Sequence, residues 1–330
     1  MSIIAFGDIH LINKNLVRET ECLNFLNYIE EYASKNGIKN IMCLGDVFDR
    51  GNNLRTESFL SIFNKFYEMK GRGLNLYFIN GNHDQISLND EHNSIVEAFK
   101  SLGTYIQKSA TVNIDGYDYD CLSYTETVSD LPNKSRVLFT HLGVKGFMFS
   151  GSMMDDKSNF EQQSFDQYSL VVSGHLHVKQ EKGNLLFVGS PYQTRADEKG
   201  KTSYFAVIDQ DQYKLVEYNE APEYMTVSSD DIEKYGFEKF DFKNKILTVR
   251  LTKKVENFVK LRDLMYKHGA VEVFPEFVKE ETSDQAEHTV DIGEGVVKSA
   301  VRYLGETKAD GIDNAKLLGC FKEILKRAGK

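Results

Sequence analysis

Five short apolar runs, Ile3 to Phe6, Ile41 to Leu44, Leu74 to Ile79, Val137 to Thr140 and Leu170 to Ser173, each pass directly into acidic, amide or imidazole side chains. The first leads into Gly7-Asp8-Ile9-His10 and the second into Gly45-Asp46-Val47-Phe48-Asp49. The third leads into Gly81-Asn82-His83-Asp84, the fourth into His141, and the fifth into Gly174-His175-Leu176-His177. Apolar runs this short, closed by glycine and polar residues, read as buried strands. Polar groups at the carboxyl ends of such strands lie where open α/β sheets hold ligands. Five of the eight histidines fall there, so the pattern selects a layered fold with a candidate site along one edge.

The intervening segments supply the other layer. Cys22, Phe25, Leu26, Ile29 and Ala33 recur at helical spacing, Gly37 follows as a stop, and a βαβ unit results. Thr56 with Phe59, Leu60 and Phe63, then Ile95 with Val96, Phe99 and Leu102, predict two more amphipathic helices. Leu185 to Val188 and Tyr204 to Ile208 predict further strands, whereas Gly143 to Gln167 lacks periodicity and reads as a long loop. The pattern predicts a first domain over residues 1–220 and a small α+β module over 221–280. In that module, strands Ile246 to Leu251 and Val271 to Val278, the latter interrupted by Pro275, flank a helix from Val255 to Lys267. Residues 281–330 read as a polar linker, Glu281 to Glu287, and two short amphipathic helices, the second carrying Leu317, Phe321, Ile324, Leu325 and Ala328. With 41% hydrophobic residues the chain can bury more than one core. No apolar run approaches the ~20 residues that span a bilayer, and neither end reads as a secretory segment, so a soluble cytoplasmic protein without a membrane partner is expected.

Two chemical classes are excluded early. The four cysteines, Cys22, Cys43, Cys121 and Cys320, are widely spaced with no CxxC pair, which argues against a disulfide framework or a thiolate zinc site. The formal charge of −9 argues against a whole-surface electrostatic grip on nucleic acid, so any such binding is local or assisted. What the strand ends do offer is a mixture of hard oxygen donors and borderline imidazoles, the mixture that fills the shells of a pair of divalent cations. Asp8 and His10, like His175 and His177, are two apart, and an extended backbone would direct both members of each pair to one side.

The ordered set DxH, GDxxD, GNHD, H and GHxH resembles that of the calcineurin-like metallophosphoesterases. Within that superfamily the chain is most similar to SbcD-type DNA double-strand-break repair nucleases, and its short length resembles the recombination endonuclease subunits of T-even-like phages. Gly45-Asp46-Val47-Phe48-Asp49 supports this, as does Val188-Gly189-Ser190-Pro191-Tyr192, which resembles the family's GSP segment. The motifs cover about the first 195 residues, and the remainder matches only in layout. The resemblance implies an α+β fold: a metallophosphoesterase β-sandwich flanked by helices, with a small α+β capping domain and a helical C-terminal tail. It assigns Asp8, His10, Asp46 and His177 to one metal and Asp46, Asn82, His141 and His175 to the other, with Asp46 as the bridge. His83 would be the catalytic histidine, acting on the departing 3′ oxygen. It further implies manganese as the metal, DNA as substrate, a homodimer, and a coiled-coil ATPase of the SbcC type as partner.

Each motif has a plainer reading. Alone, Asp8-Ile9-His10 is a turn after a strand, and only the ordered set makes a site. Asp49 and Asp84 are candidates to orient the ligating groups from behind, or to cap turns. His92, His268 and His288 lie outside every motif and read as structural or solvated. Arg50, Arg195, Lys199 and Lys201 are candidate phosphate contacts, although scattered basic residues usually belong to a solvated face. Other functions remain open. A phosphoprotein phosphatase shares the Asp46-Val47-Phe48-Asp49-Arg50-Gly51 pattern but usually carries GNHE rather than Gly81-Asn82-His83-Asp84. A non-enzymatic scaffold would have lost ligands that this chain retains.

Overall fold

The computed structural model describes residues 2–12, 16–87, 90–150, 153–251, 258–277 and 316. Two six-stranded sheets face each other. The first runs in the order Gln212–Glu217, Tyr204–Asp209, Ile3–Phe6, Asn40–Cys43, Asn75–Ile79, Thr104–Ile106, and its last four strands are parallel. The second runs Gln180–Lys182, Leu185–Phe187, Leu170–Ser173, Val137–Thr140, Tyr117–Leu122, Ser109–Ile114, with its four central strands parallel.

Alternation along the strands builds two cores. Ile3, Ala5, Met42 and Ile79 from the first sheet pack with Tyr119, Val137, Phe139, Leu170 and Val172 from the second. Ile4, Phe6, Ile41, Cys43 and Phe78 point the other way, against helices α1 (Leu16–Asn36) and α2 (Thr56–Gly71). Because both faces are covered, these strands are apolar beyond their first residues, which is why they stand out as continuous runs. Gly37, at φ +66°, ends α1 as expected. This is the α+β sandwich that the motifs imply.

Three expectations change. Ile95–Ser101 is a 3₁₀ helix rather than an α-helix. The segment after Gly143 is not featureless: it holds a hairpin, Met148–Ser150 with Met153–Met154, and a 3₁₀ turn, Gln162–Phe165. It is pinned by Phe147, Phe160 and Phe165, which pack on Leu138, Val171 and Phe187 at the outer face of the second sheet. Pro275 does not interrupt its strand, because Glu272–Phe277 is an edge strand, where a missing N–H costs no ladder bond on the open side.

That strand belongs to a separate three-stranded parallel sheet, Glu223–Ser228, Lys245–Leu251 and Glu272–Phe277, covered by α3 (Ser229–Tyr235) and α4 (Phe258–Lys267). Val227, Leu247, Val249, Met265 and Val273 form its core. The described residues up to Phe277 belong to one compact unit. The expected linker and the apolar stripe from Leu317 to Ala328 lie outside the described residues.

Candidate metal centre

The five strand ends meet at one edge. Main-chain bonds lock the first two loops side by side: Asp8 N–H donates to Gly45 O (3.0 Å), His10 N–H to Asp46 O (3.0 Å) and Leu11 N–H to Val47 O (2.9 Å). Asp8, His10, Asp46 and His175 have φ of 57°, 40°, 50° and 80°. The backbone at Asp8, His10 and His175 is therefore not extended, as the two-residue spacing suggested; left-handed turns direct the side chains inward. Such conformations cost L-residues energy that the surrounding packing must offset. Glycines make the approach possible. A Cβ at Gly81 would lie 2.0 Å from Asp46 Oδ1, and one at Gly174 would lie 2.9 Å from Asp8 Oδ2.

All seven ligand candidates converge. On one side, His10 Nε2 lies 2.9 Å from His177 Nε2, 3.5 Å from Asp46 Oδ2 and 3.9 Å from Asp8 Oδ1. On the other, His141 Nε2 lies 3.3 Å from Asp46 Oδ2 and 3.3 Å from Asn82 Oδ1, which is 2.9 Å from His175 Nδ1. Asp46 Oδ2 thus faces both sides, and Asp46 Oδ1 accepts from His83 N–H at 2.9 Å. Two imidazoles are oriented from behind: His141 Nδ1 donates to Leu44 O (2.7 Å), and His177 Nδ1 donates to Glu198 Oε1 (2.6 Å). Each is then left with Nε2 turned toward the cluster, the arrangement that metal-ligating histidines use. His83 stands beside them, its ring 4.8 Å from that of His10, with Nδ1 donating to Asp49 O at 2.7 Å.

The electrostatics of the cluster favour positive charge. Asp8 and Asp46 are buried, and among the described residues neither forms a salt bridge with lysine or arginine; their contacts are imidazoles and main chain. Burial pushes the Asp8 carboxyl up. Burial acts the same way on Asp46, but His141, His10 and His83 outweigh it and hold that carboxyl well below its usual range. His141 responds in kind: burial opposes its charge, yet Asp46 and Asp8 raise it to about 9. Burial lowers His10, and His175 to about 3, which leaves both neutral and able to donate lone pairs. Two clustered carboxylates beside the neutral imidazoles of His10 and His175 fit divalent cations in donor type, and the raised His141 shows that the carboxylate pair favours positive charge beside it. Asp8, His10 and His177 form one group able to hold an ion, and Asp8, Asp46 and His141 another; His10, Asp49 and His83 form a third such group, so geometry alone leaves His83 within reach of an ion.

The supporting residues act largely through main-chain groups. Asp49 orients His83 through its main-chain carbonyl, and its carboxylate lies 3.8 Å from exposed Arg50. Asp84 is fully buried and accepts from Phe48 N–H (3.0 Å) and Gly81 N–H (3.0 Å), joining the loops that carry Asp46 and Asn82. Burial, with Asp46 nearby, pushes its carboxyl up to about 7. Lys201, a candidate phosphate contact, is instead mostly buried, 2.9 Å from Glu198. Arg195 does line the pocket over the site, with Asp46, Asn82, His83, His175 and His177. His268 is exposed and bonds Leu264 O; the side chain of His92 and all of His288 lie outside the described residues. Sequence reasoning missed Glu198 and Thr194, which no motif marks; only the nearby Gly189-Ser190-Pro191 segment hinted at them.

Similar proteins exist on several levels. Exonuclease subunit 1 of Enterobacteria phage T4 is 25% identical over 223 residues, 63% of this chain and 65% of that protein, so the chain spans just under two thirds of that relative's length. Among solved structures, a dimetal phosphatase from Danio rerio is 10% identical with a TM-score of 0.38, covering 63% of this chain and 91% of that one. The nuclease MPE of Pseudomonas putida is 12% identical with a TM-score of 0.31, covering 65% and 87%. A family model described as calcineurin-like phosphoesterase matches residues 1–179, more than half of the chain and all seven converging donors, and on that match the chain belongs to the calcineurin-like phosphoesterases.

Proposed function

We propose that the chain is the nuclease subunit of a DNA recombination and double-strand-break repair complex, a two-metal phosphodiesterase acting as exonuclease on duplex ends and endonuclease on single strands. The observation that carries the phosphodiesterase reading is the meeting of Asp8, His10, Asp46, Asn82, His141, His175 and His177 around two adjoining positions, with His83 beside them. The DNA substrate is supported by the likeness to a phage exonuclease subunit and by the sequence resemblance to SbcD-type nucleases. Asp8, His10, Asp46 and His177 would hold one cation and Asp46, Asn82, His141 and His175 the other, with manganese as the productive metal. When bound, the cations supply acidified water and neutralise charge on the phosphoryl oxygens.

The chain's own groups have separate tasks. Asp46 ties the two positions together. His83 commits Nδ1–H to the Asp49 carbonyl, so Nε2 is the ring atom left for the substrate; with the ring as imidazolium, Nε2 would give its proton to the departing 3′ oxygen and leave a neutral ring. Arg195, at the pocket wall, is placed to meet a phosphate. The same proposal includes a homodimer, a coiled-coil ATPase of the SbcC type as partner, and action in the cytoplasm, the host's if the chain is phage-encoded. It divides the chain at residues 220 and 280 into nuclease domain, capping domain and ATPase-binding tail. Manganese-dependent assays on duplex and single-stranded DNA, run against a phosphopeptide, test the reading. DNA cleavage with an inert phosphopeptide supports it; the reverse outcome makes the chain a phosphoprotein phosphatase.

A further inference from the structure

Glu198 is a carboxylate that the fold has buried, with 4% of its surface exposed, and then saturated with donors. Its Oε1 accepts from His177 Nδ1 (2.6 Å) and Thr194 Oγ1 (2.7 Å), and its Oε2 accepts from Thr194 N–H (2.8 Å) and Lys201 Nζ (2.9 Å). Lys201 closes the circuit by also donating to His177 O (3.0 Å) and to Ser190 Oγ. Burying an acid and a lysine is costly unless each bond is made. Here the set is complete, and it meets the cluster through the His177 ring. Thr194 is itself fixed, since its carbonyl accepts from buried Arg18 at 3.3 Å.

We propose that Glu198, held by Thr194 and Lys201, is a positioning residue that keeps His177 in the tautomer protonated at Nδ1, so that the Nε2 lone pair faces Asp8 and His10. The inference rests on the metal-centre reading above and adds to it the group that sets one ligand's proton and ring plane. A neutral imidazole can carry its proton on either nitrogen. Next to His10 Nε2 at 2.9 Å, a proton on His177 Nε2 would make a histidine pair bonded to itself rather than a cation site. An anionic acceptor fixed behind Nδ1 removes that alternative. A purely structural role for Glu198 would predict a change in stability alone.

Nitrogen-15 imidazole spectra of the metal-free full chain, with His177→Gln used to assign the resonance, read the tautomer directly. Protonated Nδ1 with bare Nε2 is expected, and protonated Nε2 overturns the proposal. Calorimetric titration with manganese alone is the second readout. Glu198→Ala should weaken binding by about 10- to 100-fold, and Glu198→Gln, which keeps an acceptor but loses the charge, should fall between that and the parent. If Glu198→Ala does not fold, Glu198→Gln and the parent spectrum decide. Parent-like manganese affinity in the variants overturns the role of Glu198 alone; a parent that binds no manganese overturns the metal centre itself, and the proposal with it.

Discussion

At Asp46 one carboxylate meets both halves of the cluster, with Oδ2 3.3 Å from His141 Nε2 and 3.5 Å from His10 Nε2. Asp46→Ala should therefore lower manganese occupancy at both positions and abolish cleavage, whereas loss of a peripheral ligand leaves one position served. Full manganese-dependent activity in that variant would remove the two-metal assignment. His83 is the opposite case. If its task is the leaving group, His83→Gln should bind manganese like the parent and cleave ~10²- to 10⁴-fold more slowly. A large fall in calorimetric affinity would place His83 among the ligands, with Asp49 and His10. The converging residues were legible because each follows an apolar strand, and strand ends can be found from sequence. What held them was not. Glu198 lies 21 positions beyond His177, and Asp49 acts through a carbonyl that every residue possesses.

At the scale of elements, legibility followed burial. Val137–Thr140 and Leu170–Ser173 match their expected bounds because both faces are covered, whereas the hairpin near Met148 has strands of three and two residues, too short to carry a pattern, and Glu223–Ser228 carries polar positions that blur it. The 3₁₀ helix Ile95–Ser101 shows how a pattern can be right about burial and wrong about pitch. Val96, Phe99 and Leu102 are three apart, a spacing that three residues per turn align on one face. Phe99 stands at the centre of an aromatic cluster, its ring 6.1 Å from Phe48, 6.0 Å from Phe59, 5.3 Å from Phe66 and 5.1 Å from Phe78. Phe48 belongs to the loop that carries Asp46, so this cluster supports the site from below. Phe99→Ala should cost ~3–5 kcal/mol, read as a lower urea midpoint at unchanged slope. A loss below about 1 kcal/mol would show that the neighbouring rings close over the gap.

Taken as a whole molecule, the chain separates its chemistry from its far end. All seven donors lie between Asp8 and His177, Glu198 follows closely, and the compact unit that contains them closes at Phe277. Among the described residues, every member of the cluster lies before Phe277. The sequence beyond is of another kind: Glu281 to Glu287 is polar, and Leu317, Phe321, Ile324, Leu325 and Ala328 form one apolar stripe with Lys316, Lys322, Glu323 and Lys326 largely off it. The spacing predicts a helix there, and one of that length would be marginal alone in water, so the stripe would need a surface to cover it. A coiled coil provides an apolar groove for such a helix. On the proposed function, such a partner would also bring positive potential to DNA, which a chain of formal charge −9 lacks. Ending the chain after Glu280 should leave a folded protein that still cleaves DNA with manganese but no longer co-purifies with its ATPase. Retention of the ATPase at undiminished affinity would place the docking surface before residue 281. A truncated chain that fails to fold would instead assign the stripe to the protein's own core.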